Sequence, residues 1–147
     1  MEQARYRKLH RFKYQLVSDY RLSIAITGQS IDTRFIKLDT AGNLTVMNGY
    51  AWDGPSGPTI DTLNFMRGSL VHDALYQLIR MKCLDILYRK QADQILRKIC
   101  LEDGMTRFRA SYVYHSVRWF AGSCAIPGTH KPDITTCVPV IKETKQC

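Results

Sequence analysis

The hydrophobic period of this chain changes once, and the change divides the predicted fold into two parts. From Phe12 to Val46, apolar residues occur in short runs rich in β-branched and aromatic side chains, which are typical of strands. From Leu63 onward they recur every three or four residues, which is the period of an amphipathic helix. Strands followed by helices, rather than alternating with them, predict an α+β fold.

The first part predicts a small N-terminal antiparallel β-sheet over residues 12–47. Its candidate strands are Tyr14–Val17, Leu22–Ile26, Phe35–Asp39 and Leu44–Met47. The last two flank Thr40-Ala41-Gly42-Asn43, whose Gly-Asn pair suits the tight turn of a hairpin. Residues 48–62 contain too many glycines and prolines for regular structure, so they predict a loop.

The second part predicts a helical core over residues 63–122. The first helix covers roughly residues 63–82, and the second ends near Asp103-Gly104, where the glycine can terminate a helix. The third begins at about Thr106, a suitable N-cap, and continues to Phe120. Residues 123–147 contain three prolines and no clear period, so we expect an irregular C-terminal arm. The whole chain, 1–147, is predicted to be one domain.

Basic residues outnumber acidic ones, with 21 Lys and Arg against 13 Asp and Glu and a formal charge of +8. This balance favours anionic partners such as nucleic acid, phospholipid head groups or an acidic protein surface. A solvated basic surface that keeps the protein soluble explains it equally well. The basic residues are spread along the chain and match no nucleic-acid-binding motif.

Cysteine usage and hydropathy indicate a reduced intracellular protein. The five cysteines include no Cys-x-x-Cys pair, which argues against a structural zinc site. Cys100 lies on an apolar helical stripe and is expected in the core, whereas pairing of Cys124 with Cys137 stays open. No apolar run approaches the ~20 residues of a membrane span, and residues 1–13 lack the apolar core of a signal peptide.

Polar side chains on the first two helices form a candidate catalytic site. His72 and Tyr76 are four residues apart and therefore share a helix face. Asp93 is flanked by the apolar stripe of the second helix and can face inward, so two antiparallel helices would bring it to them. A carboxylate bonded to one imidazole nitrogen fixes the tautomer and leaves the other nitrogen as a base. Such a base can take a proton from water that attacks a carbonyl.

A metal site is predicted beside this pair. Asp73 points about a quarter turn away from His72, toward the loop that contains Asp53. Carboxylates and loop carbonyls are hard oxygen ligands that suit Ca²⁺, which polarises a substrate carbonyl. Gly54 allows the backbone to approach an ion closely. Each residue alone has an ordinary structural explanation, such as a hydrogen-bonded core histidine, and their joint occurrence is what favours a site.

The motif order resembles two protein families. Asp53-Gly54-x-Ser56, His72-Asp73-x-x-Tyr76 and Arg89-x-x-x-Asp93 resemble the core of the small phospholipases A₂ of bacteria and fungi. Over residues 21–122 the chain is similar to a family of uncharacterised phage and prophage proteins. Those have N-terminal strands, an Asp-Gly-x-Ser loop, a His-Asp-x-Leu-Tyr helix and an Ala-Asp helix, and this match covers more of the chain.

The lipase resemblance implies a three-helix phospholipase A₂-like core and a set of residue roles. It implies that a membrane phospholipid loses its sn-2 acyl chain, with the positive charge aiding adsorption to anionic lipid. In the catalytic set, it implies His72 as base, Asp93 as its orienting partner and Tyr76 as a donor to Asp93. In the calcium set, it implies the carboxylates of Asp53 and Asp73 and the backbone of Gly54.

Departures from the lipase pattern support an alternative function. Pro55 replaces the loop cysteine, the first helix lacks the partnering cysteine, and the N-terminal sheet is not a lipase feature. The alternative is a non-enzymatic phage virion or tail-associated protein, or a host-interaction protein, which retains the fold. It would contact phage structural proteins through its aromatic third helix, with His72, Tyr76 and Asp93 as a buried polar network. Either function places the protein in the host cytoplasm or the virion. A metal-dependent phosphohydrolase would need histidines in an arrangement that the sequence does not show.

Overall fold

The computed structural model describes residues 3–9, 14–54 and 62–128, and these confirm the predicted α+β fold. Seven strands precede three α-helices among the described residues. The strands are β1 Tyr6–Lys8, β2 Tyr14–Leu16, β3 Tyr20–Ser23, β4 Ile31–Asp32, β5 Ile36–Leu38, β6 Asn43–Val46 and β7 Ala51–Trp52. The helices are α1 Leu63–Arg80, α2 Arg89–Glu102 and α3 Arg107–Phe120.

The strands form two antiparallel sheets, where one small antiparallel sheet was predicted. One sheet has the order β1-β2-β7 and the other the order β3-β6-β5-β4. The two separate after Leu16, whose N–H donates to the Tyr50 carbonyl and whose carbonyl accepts from Gly49, both at 2.9 Å. The segment that leads into β7 therefore pairs with β2, and part of the predicted 48–62 loop is a strand.

The predicted hairpin turn is confirmed, but the strand predicted over Leu22–Ile26 ends early. Gly42 has a φ of +89°, a backbone conformation that favours glycine, and the Asp39 carboxylate accepts from the N–H groups of Ala41 and Asn43. Strand β3 ends at Ser23 because its partner β6 begins opposite it, at Asn43. Ile24 and Ile26 follow the last paired residue and are buried in the core, and the N–H of Ile24 still donates to the Gly42 carbonyl at 2.8 Å.

Helices α1 and α2 lie antiparallel and approach closely at Gly68. A Cβ atom on Gly68 would lie 2.9 Å from Leu96 Cδ1 and 3.0 Å from Cys100 Sγ, so only glycine fits here without displacement. A short connection with a 3₁₀ helix at Ile86–Tyr88 joins the two helices. This close contact determines which residues of α2 lie opposite the next turn of α1.

Two apolar clusters hold the layers together. The larger joins the inner faces of both sheets to α1, and it includes Leu16, Ile36, Val46, Trp52, Leu70, Leu75 and Ile79. The smaller lies among the three helices and includes Phe65, Leu96, Cys100, Met105, Ala110 and Val113. Cys100 is therefore a core residue, as predicted. None of the described helices is both long and apolar enough to cross a membrane.

The third helix begins and ends close to its predicted bounds. The Thr106 hydroxyl accepts from the N–H of Arg109 at 3.3 Å, which confirms it as the N-cap. A 3₁₀ helix at Ala121–Ala125 follows, so the first residues of the predicted arm are ordered. Cys124 is exposed, whereas Cys137 and the rest of the arm from residue 129 lie outside the described residues.

Candidate active site

A histidine of α1 and an aspartate of α2 form a hydrogen-bonded pair. His72 Nε2 lies 2.7 Å from Asp93 Oδ1, although the two residues are 21 positions apart in sequence. The Asp93 side chain has no exposed surface, and that of His72 is 12% exposed. Because an ionised carboxylate can only accept, Nε2 carries a proton, and in the neutral imidazole Nδ1 then carries the lone pair. In this orientation Nδ1 of His72 can accept a proton, as a general base requires.

The Asp93 carboxylate accepts from two further donors. The Tyr76 hydroxyl donates to Oδ1 at 2.7 Å, and Arg118 Nη1 donates to Oδ2 at 2.9 Å. Burial alone would raise the pKa of Asp93, but the hydrogen bonds from His72, Tyr76 and Arg118 outweigh it and lower that pKa. Asp93 is therefore a buried carboxylate that stays ionised at neutral pH.

Tyr76 connects this carboxylate to a second arginine. Its hydroxyl accepts from Arg89 Nε at 3.1 Å while it donates to Asp93. Burial raises the pKa of Tyr76, and the negative charge of Asp93 raises it further, so the phenol remains protonated and can donate. Its ring also packs against the imidazole of His72, with 4.1 Å between ring centroids. The tyrosine holds both members of the pair in place.

The two arginines attach α3 to the site. Arg89 Nη2 donates to the carbonyls of Val117 and Arg118, at 2.9 and 2.8 Å, in the last turn of α3. The Val117 carbonyl also accepts from the N–H of Ala121, and the negative end of the helix dipole attracts a cation at this last turn. The backbone of Arg118 is thereby fixed where its own guanidinium reaches Asp93. Neither arginine was assigned a role from the sequence.

Asp73 faces a tyrosine from the sheet side of the molecule. The Tyr50 hydroxyl donates to Asp73 Oδ2 at 2.8 Å, and Tyr50 is buried. Burial raises the pKa of Tyr50 well above its ordinary value, and the negative charges of Asp73 and, more weakly, Asp53 raise it further. The charges of both predicted calcium ligands therefore raise the pKa of the same tyrosine. Tyr50 carries no sequence signal for this role, because it precedes β7 and its contact with α1 spans 23 residues.

Gly54 has a structural reason to be glycine that is independent of any ion. Its φ is +74°, and a Cβ atom there would lie 2.6 Å from Cε2 of Tyr14. The structure therefore brings together His72, Tyr76 and Asp93, and separately pairs Asp73 with Tyr50. Across the described ranges, which omit residues 55–61 and hence Ser56, no three His, Cys, Asp or Glu side chains form a metal-binding group. The calcium site stays a prediction.

Comparisons with protein-family models, curated proteins and solved structures gave no match to this chain. The resemblances to small phospholipases A₂ and to phage proteins are therefore still predictions. The geometry around His72 is the observation that supports a function.

Proposed function

We propose that this protein is a hydrolase of carboxylic esters, with phospholipid as the expected substrate class and His72 as general base. The 2.7 Å hydrogen bond between His72 and Asp93 is the observation that carries the proposal. A buried pair of this kind orients the imidazole and stabilises the cation that forms when it accepts a proton. The polar side chains around it keep Asp93 in the charged form that this role requires.

The chemistry follows from the orientation of the imidazole. Nδ1 of His72 takes a proton from a water molecule as the water oxygen bonds to the ester carbonyl carbon. The imidazolium is then stabilised by Asp93, which remains charged because Arg118 and Tyr76 donate to it. When the bond to the leaving alkoxide breaks, Nδ1–H returns the proton to that oxygen. The products are a carboxylic acid and an alcohol.

Calcium is part of this proposal. Asp53 and Asp73 supply the hard oxygens that Ca²⁺ prefers, and the Tyr50 hydroxyl donates to Asp73 at 2.8 Å. The backbone of Gly54 would complete this side of the site. When bound, the ion would supply positive charge for the developing oxyanion.

A soluble short-chain phospholipid tests the catalytic proposal without the need for membrane binding. We expect wild-type protein to release fatty acid, and His72→Asn to lower the rate by about a hundredfold to ten-thousandfold. Asp32→Asn is the control, because its carboxylate is 76% exposed and pairs with Lys37 in the sheet. A wild-type rate no higher than that of His72→Asn, with calcium and with chelator, would rule the hydrolase out. Equal wild-type rates in both would contradict only the calcium requirement.

A non-enzymatic role as a virion, tail-associated or host-interaction protein is the second candidate. It is favoured by aromatic side chains that α3 leaves exposed, among them Phe108 and Trp119. In this role the Asp93 network would serve only to fix helix packing. Mass spectrometry of purified phage particles tests it, since absence of the chain from particles and from pull-downs with phage proteins would count against it.

A further inference from the structure

Helix α3 exposes one continuous aromatic stripe, formed by Phe108, Tyr112, His115 and Trp119. These residues are spaced by four, three and four positions, and a helix of 3.6 residues per turn places them on one face. The side chains are far from buried: Phe108 is 87% exposed, Tyr112 52% and Trp119 78%. The opposite face of α3, with Ala110 and Val113, packs into the helical core.

This aromatic stripe is larger than folding requires. Scattered apolar side chains are normal on a protein surface, whereas a contiguous aromatic patch marks a surface that contacts something else. Phe120, also 78% exposed, follows Trp119 at the C-terminal end of the helix. None of the described residues covers the stripe.

The charges around the stripe select the kind of partner. Helix α3 contains three arginines and no acidic residue, with Arg107 and Arg109 on either side of Phe108. Arg97 of α2 adds a further guanidinium beside the helix, 3.4 Å from the hydroxyl of Ser111. Aromatic side chains favour the head-group region of a bilayer, and arginines attract its anionic phosphates. A positively charged rim around an aromatic stripe is therefore complementary to an anionic lipid surface.

The length of α3 determines how it would meet a bilayer. At 1.5 Å per residue, a helix of 14 residues is about 21 Å long, shorter than the ~30 Å hydrocarbon core. Its inner face is already occupied by the protein core. The helix is therefore suited to lie in the plane of the head groups, with one face immersed.

We infer that the aromatic stripe of α3 is a docking surface for an anionic phospholipid bilayer. The inference deepens the proposed function, on which it rests for the identity of the lipid as substrate. Trp119 directly follows Arg118, whose guanidinium contacts Asp93. Docking through the stripe would thus hold the His72–Asp93 pair at a fixed, short distance from the lipid surface.

The two tryptophans provide a direct measurement of docking. Trp52 is 1% exposed and Trp119 is 78% exposed, and the chain contains no other tryptophan. With vesicles of ether-linked phosphatidylglycerol, we expect Trp119 emission to shift to shorter wavelength and the protein to co-sediment. Binding to ether-linked phosphatidylcholine should be at least about tenfold weaker, and added salt should weaken binding to phosphatidylglycerol. Ether lipids contain no ester, so the result is independent of hydrolysis.

Three variants of the full chain isolate the stripe. The triple change F108S/Y112S/W119S should lower the partition coefficient on phosphatidylglycerol by at least about tenfold. Trp119→Phe should still sediment with vesicles but lose the emission shift. The matched control is L63S/L87S, which removes two leucines that are 85% and 84% exposed outside α3 and should bind as wild type does.

Two outcomes would overturn the inference. One is equal vesicle binding by wild type and the triple variant, with native circular dichroism in both. The other is no vesicle binding by folded wild type. A dimer in sedimentation equilibrium that the triple variant does not form would then assign the stripe to a second copy of the chain. A failed assay on the soluble ester, by contrast, would remove the hydrolase and leave the docking result intact.

Discussion

Arg118 Nη1 lies 2.9 Å from Asp93 Oδ2, so a side chain of the third helix neutralises the carboxylate that orients His72. Asp93 is fully buried, whereas the Arg118 side chain is 29% exposed. The negative charge is thus sealed inside the protein, and the positive charge that balances it reaches solvent. This arrangement makes α3 a part of the site, and several testable consequences follow from it.

Arg118→Gln should destabilise the fold because it takes a charged donor from a buried carboxylate. We expect the free energy of unfolding to fall by about 1–3 kcal/mol, measured by urea denaturation. Arg107→Gln, an exposed change on the same helix, should stay within about 0.5 kcal/mol of wild type. Equal losses in the two variants would show that the Arg118 contact contributes nothing specific.

Asp93→Asn should remove most of the hydrolytic rate. An amide cannot stabilise the imidazolium as a carboxylate does and can hold the wrong tautomer, so we expect a loss of about a thousandfold to ten-thousandfold in kcat. The assay is fatty acid release from the soluble phospholipid. Asp32→Asn serves as control, because its carboxylate is 76% exposed and pairs with Lys37 in the sheet. A variant with wild-type kcat would exclude Asp93 from the reaction.

The stability of the protein should depend on pH through Asp93. Hydrogen bonds lower its pKa in the folded state below the ordinary value of 3.8. Its stabilising contribution is therefore complete above that value and is lost as pH falls through the lower, folded pKa. Thermal melts from about pH 6 to about pH 2.5 should show Tm falling more steeply in wild type than in Asp93→Asn. Parallel curves would contradict the lowered pKa.

Tyr76→Phe should destabilise the fold with little change in side-chain volume. It removes the donor to Asp93 Oδ1 and the acceptor for Arg89 Nε, and leaves both partners short of a hydrogen bond. We expect a loss of about 1–3 kcal/mol in the free energy of unfolding, measured by urea denaturation. Tyr112→Phe, a change on the exposed face of α3, should alter it by less than about 0.5 kcal/mol. A Tyr76→Phe protein as stable as this control would mean that the hydroxyl is dispensable.

Gly68→Ala tests whether the close contact of α1 with α2 sets the geometry of the pair. The added Cβ would meet Leu96 and Cys100 at 3.0 Å or less, and overpacking of this kind costs about 1–3 kcal/mol. Alanine's better helix propensity offsets up to about 1 kcal/mol of that. We expect a net loss in Tm and a lower rate on the soluble ester. A more stable and fully active variant would show that the helices can separate freely.

The structural features that depend on local sequence pattern were predicted best. The limits of the first and third helices, the end of the second, the Thr106 cap and the turn at Gly42 all follow from spacing and residue type within a few positions. The strand ends were less well predicted, because Ile24 and Ile26 have strand-like residue types while their backbone lies beyond the last paired residue of β6. Strands β4 and β7 have two residues each, too few to show a period.

Contacts within the candidate site were predicted only where helical spacing applied. His72 and Tyr76 share a face by spacing, and Asp93 reaches them because α1 and α2 are joined by a short connection. Arg118 and Tyr50 come from elements whose position depends on the tertiary packing. Nothing in the local sequence around Arg118 or Tyr50 indicates which residue each of them contacts.

The polar contacts of the three helices form a closed circuit. It runs from His72 to Asp93, on to Arg118, through the backbone of α3 to Arg89, and back by Tyr76 to α1. Displacement of α3 would remove the Arg118 guanidinium from Asp93 and, at the same time, the backbone carbonyls of α3 from Arg89. The dyad and the last turn of α3 should therefore open as one cooperative unit, so their amide protons would exchange with solvent at matched rates.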